Sequence, residues 1–178
     1  RTGPSQPSHR AQSHRPAAGI VIDPVVRPAR SDDVDELIAL SGAARAALAD
    51  QRGGPRWLEE HPVCEDWTTR LDDPLTSVLV ADLDGLVVGY LVAVVDGPIV
   101  NVDEVYVRPE ARELGFGDTM LADALEFGRA RGASLVEGEA LPGDRTIKNL
   151  FERAGITARK IIVSAALSDP ASAAGASR

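Results

Sequence analysis

Arg112-x-x-Gly115-x-Gly117 has the most chemically suggestive spacing in this chain, because it stands where a β-branched run ends and an amphipathic helix pattern begins. The first turn of a helix exposes unpaired N–H groups at the positive end of the helix dipole, and glycines there let a polyanion approach the backbone closely. That combination makes a phosphate cradle. A dinucleotide-binding loop would need Gly-x-Gly-x-x-Gly with an acid about 20 residues further on, and a P-loop would need Gly-Lys-Ser/Thr; neither occurs here. Taken alone, the same two glycines also suit an ordinary tight turn. Thiol and metal chemistry find less support. Cys64 is the single cysteine, and the nearest histidine, His61, lies in an irregular segment with no third group to orient it, so no covalent nucleophile is expected there. One Cys with three His supplies neither a disulfide nor a closed zinc site.

The elements that must hold this segment alternate between strand and helix. Val25 to Pro28 is a short strand run, and Ser31, Asp32 and Asp33 offer capping oxygens to a helix whose inner positions are Val34, Leu37, Ile38 and Ser41. Ala43 to Ala49 reads as a second helical piece, Gly53-Gly54-Pro55 breaks the pattern, and Trp57 to Pro74 reads as an irregular acidic stretch. Thr76 to Asp82 and Leu86 to Val95 are strands joined at Asp84-Gly85, a dipeptide suited to a tight hairpin; Ile99 to Val107 follows after Asp96-Gly97-Pro98. From Gly115 to Arg131 the residues Gly117, Met120, Leu121, Ala124, Leu125 and Gly128 fall on one helical face. Leu135 to Ala140 is a further strand, Asp144 caps a helix that ends at Gly155, and Arg159 to Leu167 reads as a last strand. This order predicts an α/β domain with a central sheet flanked by helices.

Composition sets the bounds. The 178 residues suit one domain, expected over 25–167. Residues 1–24 read as a disordered basic arm, a linker rather than a transit peptide since no amphipathic stripe is present, and 168–178 read as a flexible tail. The formal charge of −8 conceals an asymmetry: residues 1–30 carry five arginines against Asp23, which leaves −12 on the remainder. So acidic a body disfavours a nucleic-acid partner and accommodates a cationic small substrate more easily. The longest apolar stretch, Leu86 to Val95, is about half the ~20 residues a membrane-spanning helix needs. A cytoplasmic protein with no membrane partner is the expectation.

Set in its context, the cradle resembles the acetyl-CoA motif of the GNAT family of N-acetyltransferases, Gln/Arg-x-x-Gly-x-Gly/Ala after an apolar-x-Val-x-Pro strand end. Arg112, Gly115 and Gly117 with Val105, Val107 and Pro109 match it. The opening Val26-Arg27-Pro28-Ala29, the hairpin Asp84-Gly85-x-x-x-Gly89-Tyr90 and the ending Asn149-Leu150-Phe151-Glu152-Arg153-Ala154-Gly155 agree with the family's order, so the likeness covers residues 25–167. It implies a mixed sheet splayed open between the strand ending at Val107 and the strand Leu135 to Ala140. Acetyl-CoA, as acyl donor and without a metal, would place its pantetheine arm along Val105, Tyr106 and Val107. Its pyrophosphate would lie on amides from Arg112, Glu113, Leu114, Gly115, Phe116, Gly117 and Asp118, with Asp144, Asn149 and Phe151 nearby. The N–H near Val107 would polarise the thioester carbonyl.

The resemblance further implies direct transfer to a primary amine of a small molecule or peptide, entering beside the variable stretch from Ala43 to Pro74, where Trp57 and Trp67 could form a wall. It leaves room for a homodimer. An amine must lose a proton to react, and family bases map onto Glu139 first, then Asp103, then Glu104. Asn101 falls at a related place and cannot serve as a base. Asp103 and Glu104 have opposite side-chain parity and should face opposite sides of the sheet. Lys148 and Asn149 could contact either substrate or face solvent. Phe151 stands where many members carry a Tyr that protonates the leaving sulfur; Phe has no such proton. The alternative that this opens is a CoA-binding regulatory protein with little or no catalysis.

Overall fold

The structure, a computed structural model, describes residues 25–163, so the expected arm over 1–24 and the tail over 168–178 lie outside the described residues. Asp84 and Gly85 take positive φ, 52° and 87°, as a two-residue hairpin requires, and this turn joins β2 (Thr76–Leu83) to β3 (Leu86–Asp96). β1 (Val25–Pro28) pairs antiparallel with β2, and β4 (Ile99–Val107) returns antiparallel to β3. α4 (Phe116–Ala130) then crosses over the sheet and delivers β5 (Leu135–Gly138) parallel to β4, since a parallel neighbour needs a crossover. The result is a mixed five-stranded sheet in the order β1-β2-β3-β4-β5.

Each face of the sheet is closed by helices. α1 (Val34–Ala49) and α3 (Trp67–Asp72) bury Leu37, Leu40 and Trp67 against Val80, Tyr90 and Val92 on one side. α4 and α5 (Arg145–Arg153) bury Phe116, Met120, Leu121, Leu150 and Phe151 on the other. The small-residue face of α4 has a direct packing role: a Cβ at Gly128 would lie 2.8 Å from the Cβ of Val100, so only glycine lets the helix rest this closely on β4.

Five expectations are corrected. The alanine-rich stretch from Ala43 to Ala49 is not a separate piece but the second half of α1, because alanine's helix propensity carries the helix past Gly42. Its inner face uses Leu37, Leu40 and Ser41, and Ile38 is turned outward. The supposedly irregular stretch from Trp57 to Pro74 holds most of α2 (Gly54–Glu60) and all of α3. Each is too short to show apolar periodicity, and only their starts are readable: Pro55 in the first turn of α2, and Asp66, whose carboxylate accepts the Thr69 N–H at 2.9 Å. β5 stops at Gly138, which leaves Glu139 and Ala140 in a loop. Residues 159–163 form no strand and find no ladder partner among the described residues, with Ile161 and Val163 84% and 89% exposed; 164–167 lie outside the described residues.

Asp33 does not cap α1 with its side chain. A 3-10 turn over Ser31–Asp33 directs its carboxylate back to the Arg30 N–H at 2.7 Å and to the Arg27 guanidinium at 2.7 and 2.9 Å, while Arg27 also reaches Asp82 at 3.1 Å. The hydrogen bonds from Arg27 hold the Asp33 carboxyl below the ordinary carboxylate range. Its stabilising contribution is therefore complete above the unfolded value near pH ~4 and is lost as pH falls through the lower folded value. Asp33→Asn should cost about 2 kcal/mol at neutral pH. It should also flatten the acid side of a melting-temperature-against-pH curve, which thermal unfolding from about pH 2 to 7 would show.

Candidate active site

The β4–β5 ladder ends at the pair Val102–Gly138. β4 continues to Val107, whereas the chain leaves β5, passes Glu139 to Asp144 and enters α5. The strands part at this point, and Phe151 sits in the fork: a Cβ on Gly138 would lie 2.6 Å from the tip of its ring. The gap opens into a cavity of about 540 Å³ walled by β4, the start of α4, the loop after β5, and α1 with α2.

Main-chain groups of β4 face this gap. The Arg108 N–H donates to Val88 O on the β3 side, so by strand alternation the N–H and C=O of Val107 and Val105 point the other way. The Val107 carbonyl already accepts from Arg112 Nε at 3.0 Å. Arg112 is thereby folded against the end of β4, its guanidinium 5.9 Å from the centre of the Tyr106 ring.

Below the gap, Gly115 takes φ 82° and turns a 3-10 segment, Pro109–Leu114, into α4. No side chain caps α4, so the amides of Phe116, Gly117 and Asp118 have neither an intrahelical partner nor a capping oxygen. Gly117 lines the cavity, and a Cβ there would meet Leu150 Cδ1 at 3.4 Å. An acid in the first turn, Asp118, would repel an anion. Arg153 of α5 neutralises it through hydrogen bonds of 2.8 and 2.9 Å. Arg112 and Arg153 line the cavity beside the start of α4, and Arg145, at the other end of α5, lines it as well. Asp144, the other carboxylate here, is spent on capping α5 through the Ile147 N–H at 3.0 Å.

On the opposite side of the cavity the expected parity of Asp103 and Glu104 fails. Val92 pairs with Glu104 and Ala93 with Val102, which leaves Asp103 as the extra residue of a β-bulge. Both carboxylates consequently turn to the α1–α3 face. Arg70 of α3 donates to Asp103 Oδ2 at 2.7 Å and lies 3.7 Å from Glu104 Oε1; the buried Tyr90 hydroxyl donates to Glu104 Oε2 at 2.6 Å. Burial first, and then the Glu104 charge, push the Tyr90 hydroxyl far above its ordinary value, so it stays a donor. Burial also raises the Asp103 carboxyl above the ordinary carboxylate range; Glu104 adds to the rise, while Arg70 and His61 oppose it.

Glu139 is placed differently from the strand position expected of it. Its side chain is 62% exposed on the loop after β5, with its carboxylate 3.7 Å from His61 Nε2. The His61 ring stacks on Trp57 at 4.2 Å, and its Nδ1 is 2.9 Å from Trp57 O, which is an acceptor only, so Nδ1 carries the proton.

Among the remaining candidates, Val105, Tyr106, Val107, Arg112, Gly117 and Asp118 line the cavity, as do Asp144 and Phe151. The side chains of Glu113, Leu114 and Asn149 are not part of its wall, and Phe116 is fully buried in the core. Gly115 contributes its turn geometry alone. Lys148 pairs with Glu152 at 2.8 Å on the exposed side of α5. Trp57 lines the cavity, but Trp67 is a core residue, set edge-on to Tyr90 at 6.0 Å. The residues that sequence reasoning missed are Arg70, Tyr90, Arg145 and Arg153. Tyr90 and Arg153 had a signal, as the end of the hairpin motif and as part of the closing Asn149–Gly155 motif; Arg70 and Arg145 had none. No group of three or more metal-ligating side chains comes together among the described residues.

The model of the Acetyltransferase (GNAT) family matches residues 44–156. Over 107 residues the chain is 31% identical to mycothiol acetyltransferases of Clavibacter michiganensis subsp. michiganensis and Clavibacter sepedonicus, a stretch that is 60% of this chain and 34% of each relative. The chain thus spans about a third of the length of the curated relatives it matches. Among solved structures, it is similar to the aminoglycoside N-acetyltransferase AAC(6')-Iy in complex with CoA, at TM-score 0.59 and 16% identity over 82% of this chain and all of that one. A soil-metagenome aminoglycoside acetyltransferase in complex with sisomicin gives TM-score 0.61 and 17% identity over 82% of this chain and 96% of that one. A transcriptional regulator from Bacillus halodurans gives 0.59 and 18% over 81% and 99%. At such identities the likeness to these structures is one of fold. The family match spans more than half of the chain, across the parted strands and the glycine-framed helix start: the chain belongs to the GNAT family of acetyltransferases.

Proposed function

We propose that this chain transfers an acetyl group from acetyl-CoA to a primary amine of a small molecule or peptide, directly, with both substrates bound. The observation that carries this reading is the meeting, in one cavity, of an uncapped helix N-terminus framed by Gly115 and Gly117 with a stretch of β4 that, beyond Val102, has no strand partner on its β5 side. The first suits a pyrophosphate and the second an amide-bearing arm, so the residues present fit acetyl-CoA. Bound there, acetyl-CoA supplies an acyl thioester. The amides of Phe116 to Asp118, with Arg112 and Arg153, would hold its phosphates. Val105 and the Val107 N–H would hold its arm, and the Val107 N–H is the donor available to developing negative charge on a carbonyl oxygen.

The acceptor would enter from the α1–α2 side, beside Trp57. Of the three candidate bases, Asp103 is the one we assign to proton removal, directly or through a water. It lines the cavity, is partly desolvated, and has one oxygen, Oδ1, without a hydrogen-bond partner among the described residues. Glu104 already faces Tyr90 and Arg70, and Glu139 is largely solvated. The names of the relatives, mycothiol and aminoglycoside acetyltransferases, support an amine acceptor.

A second reading, a CoA-binding regulator without turnover, is favoured by one observation: Phe151, buried in the fork, offers no hydroxyl to a leaving sulfur. A thiol-release assay over a panel of primary amines, with the acetylated product confirmed by mass, separates the two. The proposal expects amine-dependent thiol release. Acetyl-CoA binding with no release on any amine would favour the regulator.

A further inference from the structure

The geometry points to Arg70 as a positioning residue that holds Asp103 on the bulge of β4 with one carboxylate oxygen turned to the cavity. This rests on the reading of the cavity as an acetyl-transfer site. α3 is built to deliver that guanidinium. Asp66 fixes its start by accepting from the Thr69 N–H and from Thr69 Oγ1, at 2.9 and 2.7 Å. Trp67 anchors it in the core, and Arg70, one turn later on the same face, lies 5.9 Å from the Trp67 ring centre.

From there Arg70 meets both bulge carboxylates. It takes Asp103 Oδ2 at 2.7 Å and stands 3.7 Å from Glu104 Oε1, while Tyr90 occupies Glu104 Oε2. The two acids are thereby given separate roles: Glu104 ties the bulge to the core, and Asp103 keeps Oδ1 for chemistry. A β-bulge leaves its extra residue outside the ladder, so the backbone alone does not fix the direction of Asp103. The charged or titratable groups facing Asp103 are Arg70 from α3, Glu104 from its own strand and His61 from the segment after α2; Tyr90 from β3 acts through Glu104. Of these, Arg70 and His61 favour the carboxylate, so removing the guanidinium must make Asp103 harder to deprotonate.

The test uses Arg70→Met and Arg70→Lys in the full chain. Side-chain carboxyl carbon NMR, with the Asp103 signal assigned by Asp103→Asn, follows the titration of Asp103 without any substrate. In Arg70→Met its midpoint should rise by about 1–3 pH units, the usual effect of losing an adjacent opposite charge. In Arg70→Lys, which keeps the charge but not the planar two-sided contact, it should stay near that of the unaltered protein. With an amine substrate, Arg70→Met should lower kcat at least ~10-fold with an unchanged KM for acetyl-CoA, and the acid limb of kcat/KM should move upward with the midpoint. Should Arg70→Met fail to fold, Arg70→Lys carries the test through a lowered kcat at an unmoved midpoint and an unmoved acid limb. A folded Arg70→Met with an unmoved Asp103 midpoint, or an Arg70→Lys with unaltered kcat, overturns the inference. A moved midpoint in a protein that acetylates no amine overturns the functional reading instead.

Discussion

Asp103→Asn should lower kcat by about 10²-fold or more, the scale of a lost general base, with little change in affinity for acetyl-CoA. The physical reason is local. Burial and the neighbouring Glu104 raise the Asp103 carboxyl above the ordinary carboxylate range, which makes it a better proton acceptor than a solvated acid, and the bulge turns it to the cavity. The sign of the pH dependence follows: the reactive form is the carboxylate, so kcat/KM falls as pH drops through that raised value. Asp103→Asn should erase this acid limb. Glu139→Gln should leave it in place and change kcat only a few-fold, since the Glu139 carboxylate is mostly exposed. Thiol-release rates across pH, at saturating acetyl-CoA, distinguish the two acids.

Gly117→Val should weaken acetyl-CoA binding by about 10- to 100-fold, equivalent to losing one charge-assisted hydrogen bond of roughly 1.5–3 kcal/mol. Gly117 lies in the uncapped first turn of α4 on the cavity wall. A single Cβ there only touches Leu150, at 3.4 Å. Gly117→Ala is therefore tolerated sterically and gains up to ~1 kcal/mol of helix propensity. The γ-carbons of valine, in contrast, stand over the amides that an anion must reach. Calorimetric titration of both variants separates anion access from helix stability. Equal binding by Gly117→Val and the unaltered protein would remove the cradle from the account.

The cradle and the hairpin were legible because they depend on neighbours in sequence. Positive φ at Asp84-Gly85 and at Gly115, the cap at Asp144 and the small face of α4 each follow from residues within a turn of one another. The acid side of the cavity depends on contacts between distant segments. Strand parity places Asp103 and Glu104 on opposite faces, and one extra residue in the pairing with β3 overrides it. Arg70 lies 33 residues from Asp103, on a helix too short to show periodicity, so nothing local announces it. The continuous extended pattern of Leu135 to Ala140 predicts a strand through Glu139, but the ladder ends where Gly138 makes room for Phe151. The same non-local arrangement addresses the acidity of the chain. Arginines from two segments, Arg112 before α4 and Arg153 at the end of α5, stand by the start of α4, while Asp118 and Asp144 are already committed to partners. A strongly acidic body can thus present a locally basic seat.

The measurement that bears most directly on the central claim is a crystal structure of the chain with CoA. CoA is expected in the fork between β4 and β5, its arm hydrogen-bonded to the main chain of Val105 and Val107, its pyrophosphate on the amides of Phe116 to Asp118, and its sulfur turned toward Asp103. CoA bound elsewhere, with the fork and the start of α4 left empty, would contradict that claim.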